Sequence, residues 1–168
     1  EALLHPQADF IFLSSTLVAC FQASFDITPL VTALSVNDTD KTGGVIFVKE
    51  DRKDLRLLKD LNGTVASSMP YETVDGYMLA AEVLRHYDIE PMVDFAQIRF
   101  HHDPAKVLSD VMQGISDVGF LPSGELEAHG VVGEVYIIHP VEEPDAPDPF
   151  PYKLSTQLVP GPMLVAMA

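Results

Sequence analysis

One eight-residue segment occurs twice in this chain, and it constrains the fold more than any other feature. Residues 8–15 read Ala-Asp-Phe-Ile-Phe-Leu-Ser-Ser, and residues 116–123 read Ser-Asp-Val-Gly-Phe-Leu-Pro-Ser. Both copies run from a small residue through Asp, an apolar pair, Phe and Leu to a closing Ser. Each begins where a helix-like stretch stops and precedes another stretch that can be helical. A buried strand that leaves a helix and ends in small polar residues forms half of a ligand cleft in α/β proteins, because ligands collect at the carboxyl ends of strands. Two such units predict two similar lobes facing each other across a cleft. Chance likeness between two buried strands is the competing explanation.

Hydrophobic residues make up 47% of the 168 positions, enough for a core in one domain or in two small lobes. Ten basic residues stand against twenty-five acidic ones, a formal charge of −15. Nucleic acid is therefore excluded as an expected partner, since its phosphates need Lys and Arg to displace their counterions. Anionic membrane surfaces are disfavoured on the same ground. A small anion is not excluded, because a helix dipole dominates locally inside a cleft. No apolar run reaches the roughly 18 residues of a membrane span, and no basic stretch followed by an apolar one marks a signal peptide. Cys20 is the single cysteine, which rules out an intrachain disulfide and a cysteine-rich metal site. Its expected role is a small buried hydrophobe on a helix.

Periodicity predicts strands alternating with helices. Residues 16–25 carry a helical stripe (Leu17, Val18, Phe21, Phe25), and residues 28–36 read as a strand. Val45-Ile46-Phe47-Val48 is a continuous apolar run suited to a strand buried on both faces. A short helix through Leu58 and Leu61 ends at Asn62-Gly63, and strands follow at residues 64–68, 95–100 and 131–138. Residues 73–87 form a predicted helix with Thr73 as its N-cap. The best-punctuated helix has Asp103 as cap, Pro104 in its first turn, Val107, Leu108, Val111 and Met112 along its apolar face, and Gly114 as its stop. The polar stretch 37–42 and the stretch 140–151, with five prolines and four carboxylates, read as connectors flanking a central block. The predicted organisation is residues 1–42 in a first lobe, 43–139 in a second, and 140–168 as a crossing segment that returns to the first. Leu154 and Ser155 are expected to rejoin that first lobe.

Two strand-to-helix junctions carry the candidate chemistry. One holds Tyr71, Thr73, Val74 and Asp75, and the other holds His101, His102 and Asp103. Helix N-termini expose backbone N–H groups and the positive end of a dipole, which suits them to anions. Capping is the commoner role for Asp103; for Thr73 capping and ligand contact weigh about evenly. Strand alternation lets only one of the adjacent histidines face a cleft, and His102, directly before the helix, is the choice. The pair is a poor metal site, because no further ligand lies at useful spacing. His5, His86, His129 and His139 are scattered and read as surface residues. A hydrolase would use Ser14, Ser15 or Ser123 with His102 and Asp103, but an adjacent His and Asp do not align as a triad pair and G-x-S-x-G is absent. Nucleotide-binding glycine motifs are absent too. Asp9 and Asp117 are equivalent in the two copies and are expected to tether the turns that lead into their strands.

Several of these segments together resemble the phosphonate-binding family of periplasmic solute-binding proteins, including related sensor domains of bacterial receptor kinases. The resemblance rests on Ala8-Asp9-Phe10 before a helix, Gly43-Gly44-Val45-Ile46-Phe47, Leu58-Lys59-Asp60-Leu61-Asn62-Gly63-Thr64-Val65-Ala66, residues 100–108, Ser116-Asp117-Val118-Gly119-Phe120 and Leu154-Ser155-Thr156-Gln157-Leu158. It implies an α/β, two-lobed type II periplasmic-binding fold, with mostly parallel sheets, flanking helices and an incomplete first lobe. A strand–helix–strand segment found before this point in family members has no counterpart here. It implies a non-catalytic domain that closes on a small anion, without a cofactor or metal, for uptake through a membrane permease or for sensing through a covalently linked signalling module. Location outside the cytoplasm, periplasmic or extracellular, is implied by the resemblance alone.

The same resemblance places Thr73, Val74 and Asp75 at a run of hydroxyl residues that holds phosphonate oxygens. His102 matches a histidine of the cleft, and Ser123 lies in a further contact loop. The candidate ligand-binding set is Ser14, Ser15, Tyr71, Thr73, Val74, Asp75, His102 and Ser123. Only Thr73 keeps a hydroxyl in its run, and Pro122 stands where a basic residue is frequent. These departures leave open a different ligand or a degenerate interaction module, and because fold does not fix function an enzyme using His102 as base stays a further alternative.

Overall fold

The computed structural model describes residues 9–34, 39–141 and 149–167. His5, most of the proline-rich connector (142–148) and residues 35–38 at the end of the predicted second strand and the start of the first connector lie outside the described residues. In chain order the elements are strand β1 (Phe10–Leu13), helix α1 (Ser15–Gln22), β2 (Ile27–Thr32), β3 (Lys41–Thr42), β4 (Gly44–Lys49), a 3-10 turn (Leu58–Leu61) and β5 (Val65–Ser68). A π-helical turn (Val74–Met78) then runs into α2 (Leu79–His86), followed by α3 (Pro91–Asp94), β6 (Gln97–Phe100), α4 (Pro104–Met112), β7 (Val118–Pro122) and α5 (Glu125–Ala128). A second 3-10 turn (Val132–Glu134), β8 (Val135–Ile138), β9 (Val159–Pro160) and β10 (Met163–Met167) complete the chain. It divides into two compact units: Glu1–Thr42 with Leu158–Ala168, and Gly43–Gln157.

In the first unit β10 lies between β1 and β2, antiparallel to both, and β3 pairs antiparallel with β9. Alternation sends Ile11 and Leu13 to the face where Val18 of α1 meets Ile27 and Val165, while Phe10 and Phe12 point to solvent. The first copy of the repeat is therefore a half-buried strand rather than a buried one.

The second unit is built on a five-stranded sheet of order β6-β5-β7-β4-β8. β5 is parallel to β6 and β7, and β4 runs against both β7 and β8. Four of the five strands thus point the same way, and β4 opposes them. The fold is α/β, and parallel pairing is confined to this sheet among the described residues. The apolar run at 45–48 explains the place of β4. Ile46 and Val48 enter a core with Leu58, Leu61, Ala81 and Leu84, while Val45 and Phe47 enter a second core with Val107, Val111, Leu121 and Leu126. A strand covered on both faces has no polar side to alternate with. Each of the Val, Ile, Leu and Phe side chains among them gains about 1.5–3 kcal/mol from full burial.

The second copy of the repeat is β7, central in this sheet and fully buried from Val118 to Leu121. Its Asp117 carboxylate accepts from the Val65 N–H at 2.9 Å and pairs with the Arg52 guanidinium, so it tethers the starts of β5 and β7.

Helix α4 follows its sequence signals. Asp103 accepts from the Ala105 N–H at 3.0 Å, Pro104 occupies the first turn, and Gly114 stands past the end with φ 71°. Asp103→Ala is expected to cost about 1 kcal/mol, the usual loss of an N-cap, read as a lowered urea midpoint. An unchanged midpoint would show that the cap is redundant.

Other boundaries differ from the sequence reading. Residues 73–87 begin as a π-helical turn, not an α-helix. β6 starts only at Gln97, because Pro91 opens α3 and the Glu90 N–H is taken by Asp94 Oδ2 at 2.7 Å. β8 starts only at Val135, since Val131 N–H bonds Leu126 O and Val131 O accepts from Glu134 N–H. Leu154 and Ser155 lie in the second unit, not the first. The Ser155 hydroxyl accepts from Ile46 N–H (2.9 Å) and donates to Ile138 O (2.7 Å), while Thr156 Oγ1 accepts from Gly44 N–H (2.8 Å).

Candidate ligand-binding site

β5, β6 and β7 are neighbours and parallel, so the loops that leave their carboxyl ends stand side by side. This brings Tyr71, Thr73, Val74 and Asp75 after β5 beside His102 after β6 on one flank and Ser123 after β7 on the other. Ser14 and Ser15 follow β1 in the first unit. Ser14 caps α1, accepting from Leu17 N–H at 3.4 Å, and Ser15 Oγ donates to Pro160 O at 2.7 Å.

Close approach shapes the loop after β5. A Cβ on Gly76 would sit 2.5 Å from Met69 Cβ and 2.7 Å from Thr73 Oγ1, so only glycine lets the helical turn close on the strand end. Ser68 Oγ holds the turn by donating to Gly76 O at 3.1 Å. Thr73 stands at the cap position, but its hydroxyl donates back to Pro70 O at 2.6 Å instead of accepting a helix N–H. The predicted side-chain cap at Thr73 is therefore not made, and the first-turn N–H groups are left to other partners. Val74 and Asp75 are half-buried in that first turn.

The two histidines divide their roles. His101 is directed inward, its Nε2 lying 3.0 Å from Asp110 Oδ2, while its backbone N–H bonds Ser68 O. His102 is exposed, and its ring makes no hydrogen bond among the described residues. Ser123 is anchored to the first residue of the unit: its Oγ accepts from Gly43 N–H at 3.1 Å, and its N–H donates to Gly43 O at 2.8 Å. Among the described residues the Ser123 hydroxyl accepts the bond from Gly43 N–H and donates none. His139, expected on the surface, is half-buried, with Tyr87 Oη at Nε2 and Ser155 O at Nδ1. Cys20 is exposed rather than buried.

A buried polar cluster behind His101 escaped the sequence reading. The Asp110 carboxylate is 2% exposed and accepts from Lys106 Nζ at 2.6 Å, Ser67 Oγ at 3.1 Å and His101 Nε2 at 3.0 Å. Because Ser67 gives its proton to Asp110, Ser116 must donate to Ser67 across their 2.9 Å contact. Burial works to raise the Asp110 pKa, yet the hydrogen bonds from Lys106, Ser67 and His101 and the Lys106 charge together hold it below its ordinary value. A signal for this residue was present, since Asp110 lies three residues after Val107 on the apolar face of α4.

The cluster is not a catalytic triad. Ser67 and His101 both donate to the carboxylate, so no imidazole is placed to take the serine proton. Among the described residues no group of three His, Cys, Asp or Glu side chains is placed to hold a metal ion. No described helix is long and apolar enough to cross a membrane.

Comparison with known proteins places this geometry. The chain's fold is similar to XAC2383 from Xanthomonas citri, solved bound to chloride ion and bound to ATP, with TM-scores of 0.73 and 0.72 at 16% and 18% identity. It is also similar to a binding protein component of an ABC phosphonate transporter from Pseudomonas aeruginosa (TM-score 0.68, 12% identity) and to PhnD1 from Prochlorococcus marinus in complex with methylphosphonate (0.62, 12%). These alignments cover 98–99% of this chain but only 52–60% of the other chains, so it spans a little over half their length. No curated protein matches the sequence. At such identities the structures establish the type II periplasmic-binding fold, and the family follows from sequence: the profile for "ABC transporter, phosphonate, periplasmic substrate-binding protein" matches residues 1–167. The chain belongs to the phosphonate-binding family of periplasmic substrate-binding proteins.

Proposed function

We propose that this chain is the ligand-recognising part of a solute-binding protein that captures a phosphonate-like oxyanion outside the cytoplasm and delivers it to an ABC-type permease. The observation that carries this reading is His102, exposed and without a hydrogen-bond partner among the described residues, at the junction of β6 and α4 beside the helical turn that starts at Val74. Two helix N-termini and an imidazole supply hydrogen-bond donors, which suits the binding of an oxyanion. The proposed ligand contacts are Tyr71, Thr73, Val74, Asp75, His102 and Ser123, with Thr73, Val74 and Asp75 acting through backbone N–H groups as much as side chains.

Membership in the family supports this reading, as do the phosphonate-transporter component and methylphosphonate complex among the similar structures. The test is thermal unfolding with methylphosphonate, phosphite, phosphate and sulfate, wild type beside His102→Ala. A ligand at about 100 times its dissociation constant adds about 2.7 kcal/mol. The expected result is a raised Tm with at least one anion and loss of that rise in His102→Ala. A well-folded protein whose Tm responds to no anion, or a variant that responds as fully as wild type, would overturn the proposal.

A further inference from the structure

Tyr71 and Phe100 stand out among the exposed apolar side chains of the second unit. Tyr71 is 68% exposed and Phe100 is 37% exposed. Their rings meet edge to face, with centroids 6.4 Å apart and planes at 74°. Both lie at the strand ends where His102 also stands: Phe100 is the last residue of β6, and Tyr71 belongs to the loop that leaves β5. Phe100 is also braced from behind. Tyr77, which is buried, packs its ring against Phe100 at 5.4 Å and is itself set against Phe120. A braced aromatic surface left open to water, next to a few polar donors, is the composition of a small-molecule site that takes an apolar group.

The charges of these loops point the same way. Glu72 and Asp75 follow Tyr71 in sequence, and Asp103 follows His102. Lys106, in the first turn of α4, is paired with Asp110 at 2.6 Å. A bare oxyanion at these acidic loops would have the His102 imidazole, the Ser123 hydroxyl and backbone N–H groups in its favour. A ligand that also covers the two rings gains attraction that those carboxylates do not oppose.

Resting on the phosphonate reading above, we infer that the ligand is an oxyanion with an aryl substituent, and that Tyr71 and Phe100 are the residues that select it. The substituent packs on the Tyr71–Phe100 pair while the oxyanion faces His102 and the helix N-termini.

The test compares phenylphosphonate with methylphosphonate by titration calorimetry, using wild type, Tyr71→Ala and Tyr71→Phe. Wild type is expected to favour phenylphosphonate by about tenfold or more, the size of one lost aromatic stacking contact. Tyr71→Ala should bring the ratio close to one, and Tyr71→Phe should keep it. Tyr71 is exposed, so neither variant threatens the fold. Equal wild-type affinities, or a preference that survives Tyr71→Ala, would overturn this inference and leave the phosphonate reading standing. Absence of binding to both compounds would overturn the two together.

Discussion

Gly119→Ala is expected to destabilise the protein by about 3 kcal/mol, at the upper end of the usual cost of overpacking a core. Gly119 on β7 is directly opposite Phe47 on β4, and the phenyl ring lies over the glycine. An added Cβ would sit 2.3 Å from Phe47 Cζ and 2.4 Å from Cε1. The ring has nowhere to go. Phe47 is fully buried in a core with Val107, Val111, Leu121 and Leu126, all of them nearly inaccessible to water. Urea denaturation should show a lower midpoint with an unchanged slope. Phe47→Leu in the same chain removes the clashing atoms, so the double variant should lose less than the sum of the two single ones. A Gly119→Ala protein within about 0.5 kcal/mol of wild type, the usual range of innocuous substitutions, would mean that the two strands are not in this register.

Asp110→Asn is expected to cost about 2–3 kcal/mol at neutral pH, because hydrogen bonds to a charged group are replaced by weaker or mismatched ones. The amide nitrogen faces donors where the carboxylate oxygen accepted. Half-exposed Lys106 can turn to solvent, which limits the loss, but Ser67 and Ser116 are buried and cannot. The substitution also removes a pH dependence whose sign follows from the depressed pKa of Asp110. Between the folded and unfolded values the unfolded chain binds more protons, so stability rises with pH there. The contribution of Asp110 is thus fully present above its unfolded value of about 3.9 and is lost as the pH falls through the lower folded value. Stability measured from pH 6 downward should fall less steeply in Asp110→Asn than in wild type below about pH 4. Parallel acid limbs would show that Asp110 carries no shifted proton.

Asp110 also marks where sequence reading ends. On α4 the cap Asp103, Pro104 and the terminal Gly114 are local signals, each acting within one helical turn, and the helix forms where they place it. The run 45–48 was legible for a similar reason: a strand without a polar face must be covered on both sides. What Asp110 does on that helix needs Ser67 from β5 and His101 from the turn after β6, positions 43 and 9 residues away. Nothing in the spacing of the chain announces that those side chains meet.

The same division holds for the candidate site. That the chain builds β-strands feeding helices with exposed N-termini, and that Tyr71, Thr73, His102 and Ser123 follow such strands, was contained in the order of residue types. Strand alternation let only one of the two adjacent histidines face a cleft, and in the structure His102 is exposed while His101 turns to Asp110. Tertiary structure alone decided that β5, β6 and β7 lie next to one another, that the Thr73 hydroxyl turns to Pro70, and that Tyr71 and Phe100 share an edge-to-face contact. Propensity, capping and periodicity act over a few residues and are therefore written along the chain. Strand order and side-chain meetings depend on which distant surfaces bury the most apolar area together, and only the folded molecule settles that competition.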